Sequence, residues 1–160
     1  MEKVYIESSV ISCKVSLPSL EYDHFQMQIQ TKRFWEYAIK NLDIFISAAF
    51  IDEIRKGNVE AVKRREKIIS EFRMLPVTTE VLKLAAIYIK ELRLPRKSEA
   101  DAVHMALACI NGMDYLVTLN CKHIANVHNM RKILTYNSRH KIPNVIITTP
   151  DLFMGRKNDE

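Results

Sequence analysis

Residues 98–110 read SEADAVHMALACI, and the helix that they predict is apolar on nearly every side. Ser98 is placed to open this helix and Gly112 to close it. A helix without a broad polar face belongs in the interior of a domain, where other layers cover it. The architecture therefore depends on what surrounds this helix in the sequence.

Four short apolar runs lie on either side of this helix, with helical segments between them. They are residues 4–6 (VYI), 44–46 (IFI), 115–118 (YLVT) and 145–148 (VIIT). Continuous apolar strands separated by helices are typical of a parallel sheet that is covered on both faces. The sequence therefore predicts one α/β domain over residues 1–153, with an open parallel sheet and helices on both faces. Residues 154–160 are expected to form a polar, frayed C-terminal tail.

Polar residues and glycines mark where further helices begin and end. Ser47 is a predicted N-cap for residues 48–55, and Gly57 ends that helix. Asn58 and Thr79 are expected to cap the next two helices in the same way. The other predicted segments are helices over 25–41 and 130–136 and a brief extended piece over 75–77.

The chain has 160 residues, of which 48% are hydrophobic and 27% charged, and this composition is that of one globular domain. No apolar run approaches the roughly 18 residues that a membrane span needs. The opening MEKVYIESSV contains an acid and no apolar core, so no signal peptide is expected. Three cysteines without a CxxC pair argue against a disulfide scaffold, and we expect a cytoplasmic protein. The net charge of +5 favours an anionic partner such as nucleic acid.

Polar side chains follow the predicted strands at the points where these strands end. Glu7 follows the first strand, Asp52 and Glu53 lie on the helix after the second, and Asn120 follows the third. Asp101 lies in the first turn of the buried helix. In open α/β sheets, ligands bind at the carboxyl ends of the strands. We therefore expect these polar side chains to lie together at that edge of the sheet. Clustered carboxylates repel each other unless a cation neutralises them, and oxygen ligands without Cys or His suit Mg²⁺ or Mn²⁺.

Other interpretations stay open for individual residues. Asp101 also fits a capping box, in which it only satisfies a backbone N–H. His104 is interpreted as a core residue with a backbone or carboxylate partner. Cys121, His123 and His128 suggest zinc, but their spacing matches no familiar structural site. The sequence has no glycine-rich phosphate loop, which excludes a P-loop or a dinucleotide-binding fold.

Five stretches of the chain, taken in order, resemble PIN domains. They are VYIESSVIS, IFISAAFIDEI, SEADAVHMALA, YLVTLNCKHIAN and NVIITTPDLF. Each is a weak pattern alone, but together they span essentially the whole chain in order. The sequence is most similar to the VapC-like toxins of prokaryotic toxin–antitoxin pairs, and the resemblance implies a PIN-like domain over residues 1–153.

What the resemblance implies is a metal-dependent ribonuclease that holds one or two Mg²⁺ or Mn²⁺ ions. The positions carried over are the metal-binding acids Glu7, Glu53 and Asp101, the fourth-position Asn120, and the supporting hydroxyls of Ser9 and Thr118. Similar proteins usually form homodimers, and a small antitoxin inserts into their active-site groove. Two positions depart from the pattern, since Glu7 replaces the usual Asp and Asn120 replaces the usual acid. The site therefore carries one negative charge less.

Three further expectations concern partners and turnover. Arg93, Arg96 and Lys97 precede the Asp101 helix, where they either steer the RNA backbone or solvate a loop. The segment 25–39 carries more aromatic side chains than one helix face buries. Part of it is expected at a dimer or antitoxin interface, with core packing as the alternative. The altered acids also leave open a catalytically impaired module that binds RNA or a protein without turnover.

Overall fold

Five parallel strands form a single sheet in the computed structural model, which describes residues 1–155. The strands are β1 (Lys3–Ile6), β2 (Asp43–Ser47), β3 (Arg73–Leu75), β4 (Tyr115–Val117) and β5 (Ile146–Thr148). Their order across the sheet is β3-β2-β1-β4-β5, and every neighbouring pair is parallel. The predicted open parallel sheet is confirmed.

Helices connect the strands and cover the sheet. They are α1 (Ser8–Val15), α2 (Tyr22–Asn41), α3 (Ile51–Ile54), α4 (Val59–Ile69), α5 (Thr79–Leu92), α6 (Glu99–Ile110), α7 (Val127–His140) and α8 (Pro150–Met154). Short 3₁₀ turns at Ala48–Phe50 and Arg96–Ser98 lead into α3 and α6. Among the described residues, no helix is both long and apolar enough to cross a membrane.

Successive side chains of each strand point to alternate faces of the sheet. Two hydrophobic cores result, one on each face. Tyr5 of β1 packs in a core with residues of α5, α6 and α7. Its neighbours Val4 and Ile6 pack in the other core with residues of α1 and α2. This is the pattern expected when successive side chains of a strand point to opposite faces. Helix α6 is buried from Ala102 to Cys109 except at Val103, as its composition predicts.

Two predicted boundaries move by one or two residues. The third strand occupies Arg73–Leu75, whereas the sequence predicts an extended piece over 75–77. The reason is that Pro76 has no N–H to donate to the ladder beside β2. The N-cap of α5 is Thr78, whose side chain accepts a hydrogen bond from the N–H three residues later at 3.3 Å. Thr79 is therefore the first helical residue, and its assignment as the cap is wrong.

Three helical segments also differ from the prediction. The sequence does not predict α1, because SSVISCKV is poor in strong helix formers. Its Val10 and Ile11 are fully buried at 0% exposure, and this packing outweighs local propensity. Helix α7 is longer than the predicted 130–136, because Asn126 caps it from further upstream. The predicted helix over 48–55 is divided into a 3₁₀ turn and α3.

The C-terminal end of the described chain is helical rather than frayed. Met154, which the composition assigns to the polar tail, is the last residue of α8 and packs against a hydrophobic core. The rest of the predicted tail, from residue 156 onward, lies outside the described residues.

The aromatic side chains of α2 are covered by this chain itself. Phe34 and Trp35 are buried. Phe34 packs edge-on against Phe153 at 5.2 Å between ring centroids, and Trp35 packs edge-on against Phe72 at 5.6 Å. Such aromatic pairs are worth about 0.5–1.5 kcal/mol each beyond the area that they bury. Core packing is thus the correct interpretation for these two side chains, and they supply no interface.

Candidate active site

The order of the strands creates a crevice at the carboxyl ends of β1 and β4. The chain runs outward from β1 through β2 and β3 on one side of the sheet, and it continues with β4 and β5 on the other side. In open α/β sheets, ligands bind where the strand order reverses in this way. Glu7 follows β1 at this crevice, and Thr118 follows β4.

Glu7 is a buried carboxylate held by three hydroxyl groups. The residue is 5% exposed. Ser8 Oγ donates to Oε1, while Ser9 Oγ and Thr118 Oγ1 donate to Oε2, the last at 2.8 Å. Burial of a carboxylate is costly unless hydrogen bonds replace its water, and the three hydroxyls supply these bonds. Ser9 and Thr118 thus contact Glu7, and their supporting role stays a prediction. Ser8, which also contacts Glu7, is absent from the predicted set.

Glu53 and His104 face Glu7 across the crevice. His104 Nε2 lies 3.5 Å from Glu53 Oε1 and 3.8 Å from Glu7 Oε1. Ser8 Oγ also contacts Glu53 Oε2, so one hydroxyl lies between the two carboxylates. The neighbouring Asp52 is exposed, as expected if only one of the two acids on this helix faces the site.

His104 is buried and oriented from behind by Tyr5. The Tyr5 hydroxyl and His104 Nδ1 share a hydrogen bond of 2.5 Å. Nε2, which points at the carboxylates, has no hydrogen-bond partner within the described residues. Burial favours the neutral ring, but attraction from Glu53 and Glu7 outweighs it and raises the pKa of His104. The two carboxylates therefore favour the protonated form of the ring.

The interaction with Glu53 raises the pKa of His104, and the same interaction lowers the pKa of Glu53. Burial alone raises the pKa of a carboxyl group, but the interactions of Glu53 with His104 and Ser8 outweigh burial. The pKa of Glu53 consequently lies below its ordinary value, and the group is anionic at neutral pH.

Asp101 and Asn120 form a second pair at the edge of the site. Asn120 Nδ2 donates to Asp101 Oδ1 at 2.9 Å, while Asn120 Oδ1 accepts the His123 N–H at 3.1 Å. Burial raises the pKa of Asp101; attraction from His123 opposes this shift and repulsion from Glu7 adds to it. The capping-box interpretation of Asp101 is wrong, because the Ser98 N–H donates to a backbone carbonyl instead.

The structure thus gathers a slightly different group of residues from the predicted acids. Ligand atoms of Glu7, Glu53 and His104 all lie within 4.8 Å of one another. The charges of this group affect the pKa of Asp101, but Asp101 does not belong to the group. His104 is buried beside a carboxylate, as the sequence predicts, yet its place in the site is missed. The signal that reveals it is the spacing, because Asp101 and His104 are three residues apart on one helix face.

The remaining predicted positions lie outside this group. Arg93, Arg96 and Lys97 are exposed on the segment between α5 and α6, so their steering role stays a prediction. In the described part of the chain, Cys121, His123 and His128 are not among the residues that group as possible metal ligands.

Known proteins match this chain in structure, but the comparisons by sequence give no match. The sequence matches no protein-family profile and no curated protein. The VapC20 toxin of Mycobacterium tuberculosis, described as cleaving the sarcin–ricin loop, superposes with a TM-score of 0.58 at 16% identity. That match covers 75% of this chain and 92% of the toxin chain. The chain has the fold of the VapC toxins.

Two VapBC structures extend this similarity over more of the chain. A chain of VapBC2 from Rickettsia felis, bound to a promoter DNA fragment, gives a TM-score of 0.59 at 15% identity. It covers 92% of this chain and 98% of its own length. A chain of DNA-bound VapBC from Salmonella typhimurium gives 0.55 at 16% identity, and the match covers 94% of this chain and all of that one (100%). The expected VapC-like architecture is confirmed at the level of the fold.

Proposed function

We propose that this protein is a metal-dependent ribonuclease that acts as the toxin of a toxin–antitoxin pair. The observation that carries the proposal is the Glu7, Glu53 and His104 group, which lies at the switch point of a VapC-like fold. A buried group of carboxylates and imidazole at this position is suited to hold a metal ion. The structural neighbours include a toxin described as cleaving the sarcin–ricin loop, which makes RNA the favoured substrate.

The residues of the site fit a divalent ion. His104 Nε2 is buried, aimed at two carboxylates and without a hydrogen-bond partner among residues 1–155, which is the arrangement of a ligand. A neutral ring with its proton on Nδ1 would donate to the Tyr5 oxygen and leave Nε2 free to bind metal. We propose this donor set in place of the ligands without histidine that the sequence predicts. Imidazole suits transition metals better than Mg²⁺, so we propose Mn²⁺ as the preferred ion.

The chain's own residues have separate parts in the proposed hydrolysis of a phosphodiester bond. A divalent ion held by Glu7, Glu53 and His104 would supply an activated nucleophile and neutralise charge on the phosphate oxygens. Glu7 is oriented by the hydroxyls of Ser8, Ser9 and Thr118. Asp101 lies further out, where a carboxylate accepts a proton from the attacking water. 

A second candidate is a module that binds RNA or a protein partner without turnover. The contact that favours it is the Asn120 side chain, which occupies the usual acidic position and whose oxygen already accepts the His123 N–H. Asn120 therefore adds no negative charge to the site. The two candidates differ in cleavage, not in binding.

We expect the purified protein to cleave total cellular RNA only when Mn²⁺ or Mg²⁺ is added, with Mn²⁺ effective at lower concentration. Excess EDTA should abolish cleavage, because the carboxylates alone provide no activated nucleophile. Gel analysis with mapping of the new RNA ends measures both effects. Replacing His104 by Asn should remove the preference for Mn²⁺. Cleavage at an equal rate in EDTA contradicts the metal mechanism, and RNA binding without cleavage in any metal supports the second candidate.

The proposed partners are a small antitoxin and a second copy of the chain. VapBC complexes among the structural neighbours support the antitoxin. On α2, Phe25 and Ile39 remain 40% and 52% exposed and are available to an interface. We expect sedimentation at micromolar concentration to give a dimer, and a larger species with the antitoxin. A monomer under both conditions contradicts this expectation.

A further inference from the structure

A basic groove lies between α7 and the C-terminal end of α5. It is separate from the cluster formed by Glu7, Glu53 and His104. Its volume is about 810 Å³. The basic residues that line it are Arg93, His128, Arg131, Lys132, Arg139 and His140. Glu91 is the one acidic residue among those that line it in the described chain.

The basic residues of α7 lie on one face of the helix. Positions 128, 131, 132, 135, 136, 139 and 140 all line the groove, and they recur at the spacing of three and four residues that marks one helical face. The opposite face carries the buried Ile133 and Asn137. The basic face is therefore the solvent-exposed side of a packed helix. Its long cationic side chains are accessible to a binding partner.

The cations of this groove are not neutralised from within the described residues. Neither Arg93 nor Arg131, Lys132 or Arg139 forms an ion pair in residues 1–155. Unpaired charges of one sign along a concave surface focus the field and attract an extended anion. Exposed stripes that serve only solubility usually mix both signs.

The groove begins beside the candidate active site. Asn129 Nδ2 donates to the His123 carbonyl at 2.8 Å, and the His123 N–H donates to Asn120, which holds Asp101. These contacts fix the N-terminal end of α7 against the edge of the site. From His128 to His140 the helix then extends about 18 Å away from it.

We propose that this groove binds the phosphate backbone of the RNA substrate beyond the cleavage site. The proposal rests on the proposed ribonuclease function and adds to it a requirement for RNA long enough to follow α7. At the far end, the exposed His140 ring stacks on Tyr136 with centroids 4.0 Å apart. A flat aromatic pair next to cations is a platform on which an unpaired base stacks, which favours single-stranded RNA over a purely ionic ligand.

The test compares two triple variants that change the net charge equally. The groove variant carries Arg131→Glu, Lys132→Glu and Arg139→Glu. The matched control carries Lys40→Glu, Lys63→Glu and Lys83→Glu, three exposed lysines that do not line the groove. Fluorescence anisotropy with a labelled single-stranded 30-mer in EDTA reports binding without cleavage.

We expect the groove variant to lose roughly 100-fold or more in RNA affinity, whereas the control should lose only a few-fold from its net charge. Three lost phosphate contacts should also flatten the slope of log affinity against log salt by about 2. Cleavage of a short oligonucleotide that cannot reach α7 should be the same in both triples. Equal losses in the two triples overturn the proposal. Unchanged RNA binding with lost antitoxin binding assigns the groove to a protein and also overturns it.

A single substitution keeps the test valid if the triple variant does not fold. Arg93 has a φ of 52°, a left-handed conformation that glycine adopts without strain. Arg93→Gly should therefore keep or raise the melting temperature and still weaken RNA binding several-fold. Lys141→Gly is the matched control, since Lys141 has a φ of 57° and does not line the groove. Equal RNA affinity of the two glycine variants contradicts the proposal.

The binding test also separates this proposal from the ribonuclease function. If RNA binds through the groove in EDTA but no metal supports cleavage, the ribonuclease proposal fails and the groove assignment stands. If RNA is cleaved and the groove variant binds as well as the control, the groove assignment alone fails.

Discussion

Glu53→Gln is expected to reduce metal-dependent RNA cleavage by at least about 100-fold, since even outer partners of metal ligands contribute 10–100-fold. The substitution keeps the size of the side chain and removes one of the two carboxylates in the group around His104. Glu53 lies on a short helix and its side chain is 31% exposed, so the fold should tolerate the amide. The initial rate of cleavage at several Mn²⁺ concentrations measures the effect.

Asp52→Asn provides the matched control for this variant. Asp52 is adjacent on α3 and exposed, and the change removes the same charge without touching the site. We expect its rate to stay within a factor of two or so of the unmodified protein, as surface substitutions away from a site usually allow. RNA affinity in EDTA should be similar for both variants. A fully active Glu53→Gln protein, or equal losses in both variants, would remove Glu53 from the proposed site.

The sheet and the edge that carries the candidate site could be predicted from the sequence because both have local signals. Buried parallel strands appear as continuous apolar runs, and the runs at 4–6 and 44–46 lie within β1 and β2. The carboxylate that follows β1 then lies at the carboxyl edge by geometry alone. The same pattern predicts that Glu7 and Glu53 meet at this edge, although 46 positions separate them in the chain.

The parts of the site that the sequence did not reveal depend on tertiary contacts. His104 is surrounded by apolar neighbours on α6, and apart from its spacing to Asp101 nothing local distinguishes it from a core residue. Its role depends on Tyr5 on one side and Glu53 on the other, which only the fold brings together. Ser8 is missed for a related reason, because α1 itself has weak helix formers and its first residue reads as part of a loop.

Asp101→Asn is expected to abolish most cleavage while leaving the metal-free protein as stable as before or more stable. Asparagine can still accept the hydrogen bond from Asn120 Nδ2, so the local geometry should survive. The loss of activity follows from the loss of the negative charge at the edge of the site. Thermal unfolding in EDTA, together with the cleavage rate, measures the two effects separately.

The sign of the stability change follows from the pKa of Asp101, which burial raises in the folded protein. A carboxyl group with a raised pKa favours folding at low pH, where it is protonated, and this contribution is lost as the pH rises through the folded pKa. At neutral pH the ionised Asp101 therefore opposes folding, and the neutral amide removes that cost. The advantage of the variant should disappear below about pH 4, where the carboxyl is protonated in both states. A variant that is less stable in EDTA at pH 7 yet cleaves RNA normally would make Asp101 a structural residue and remove it from the proposed chemistry.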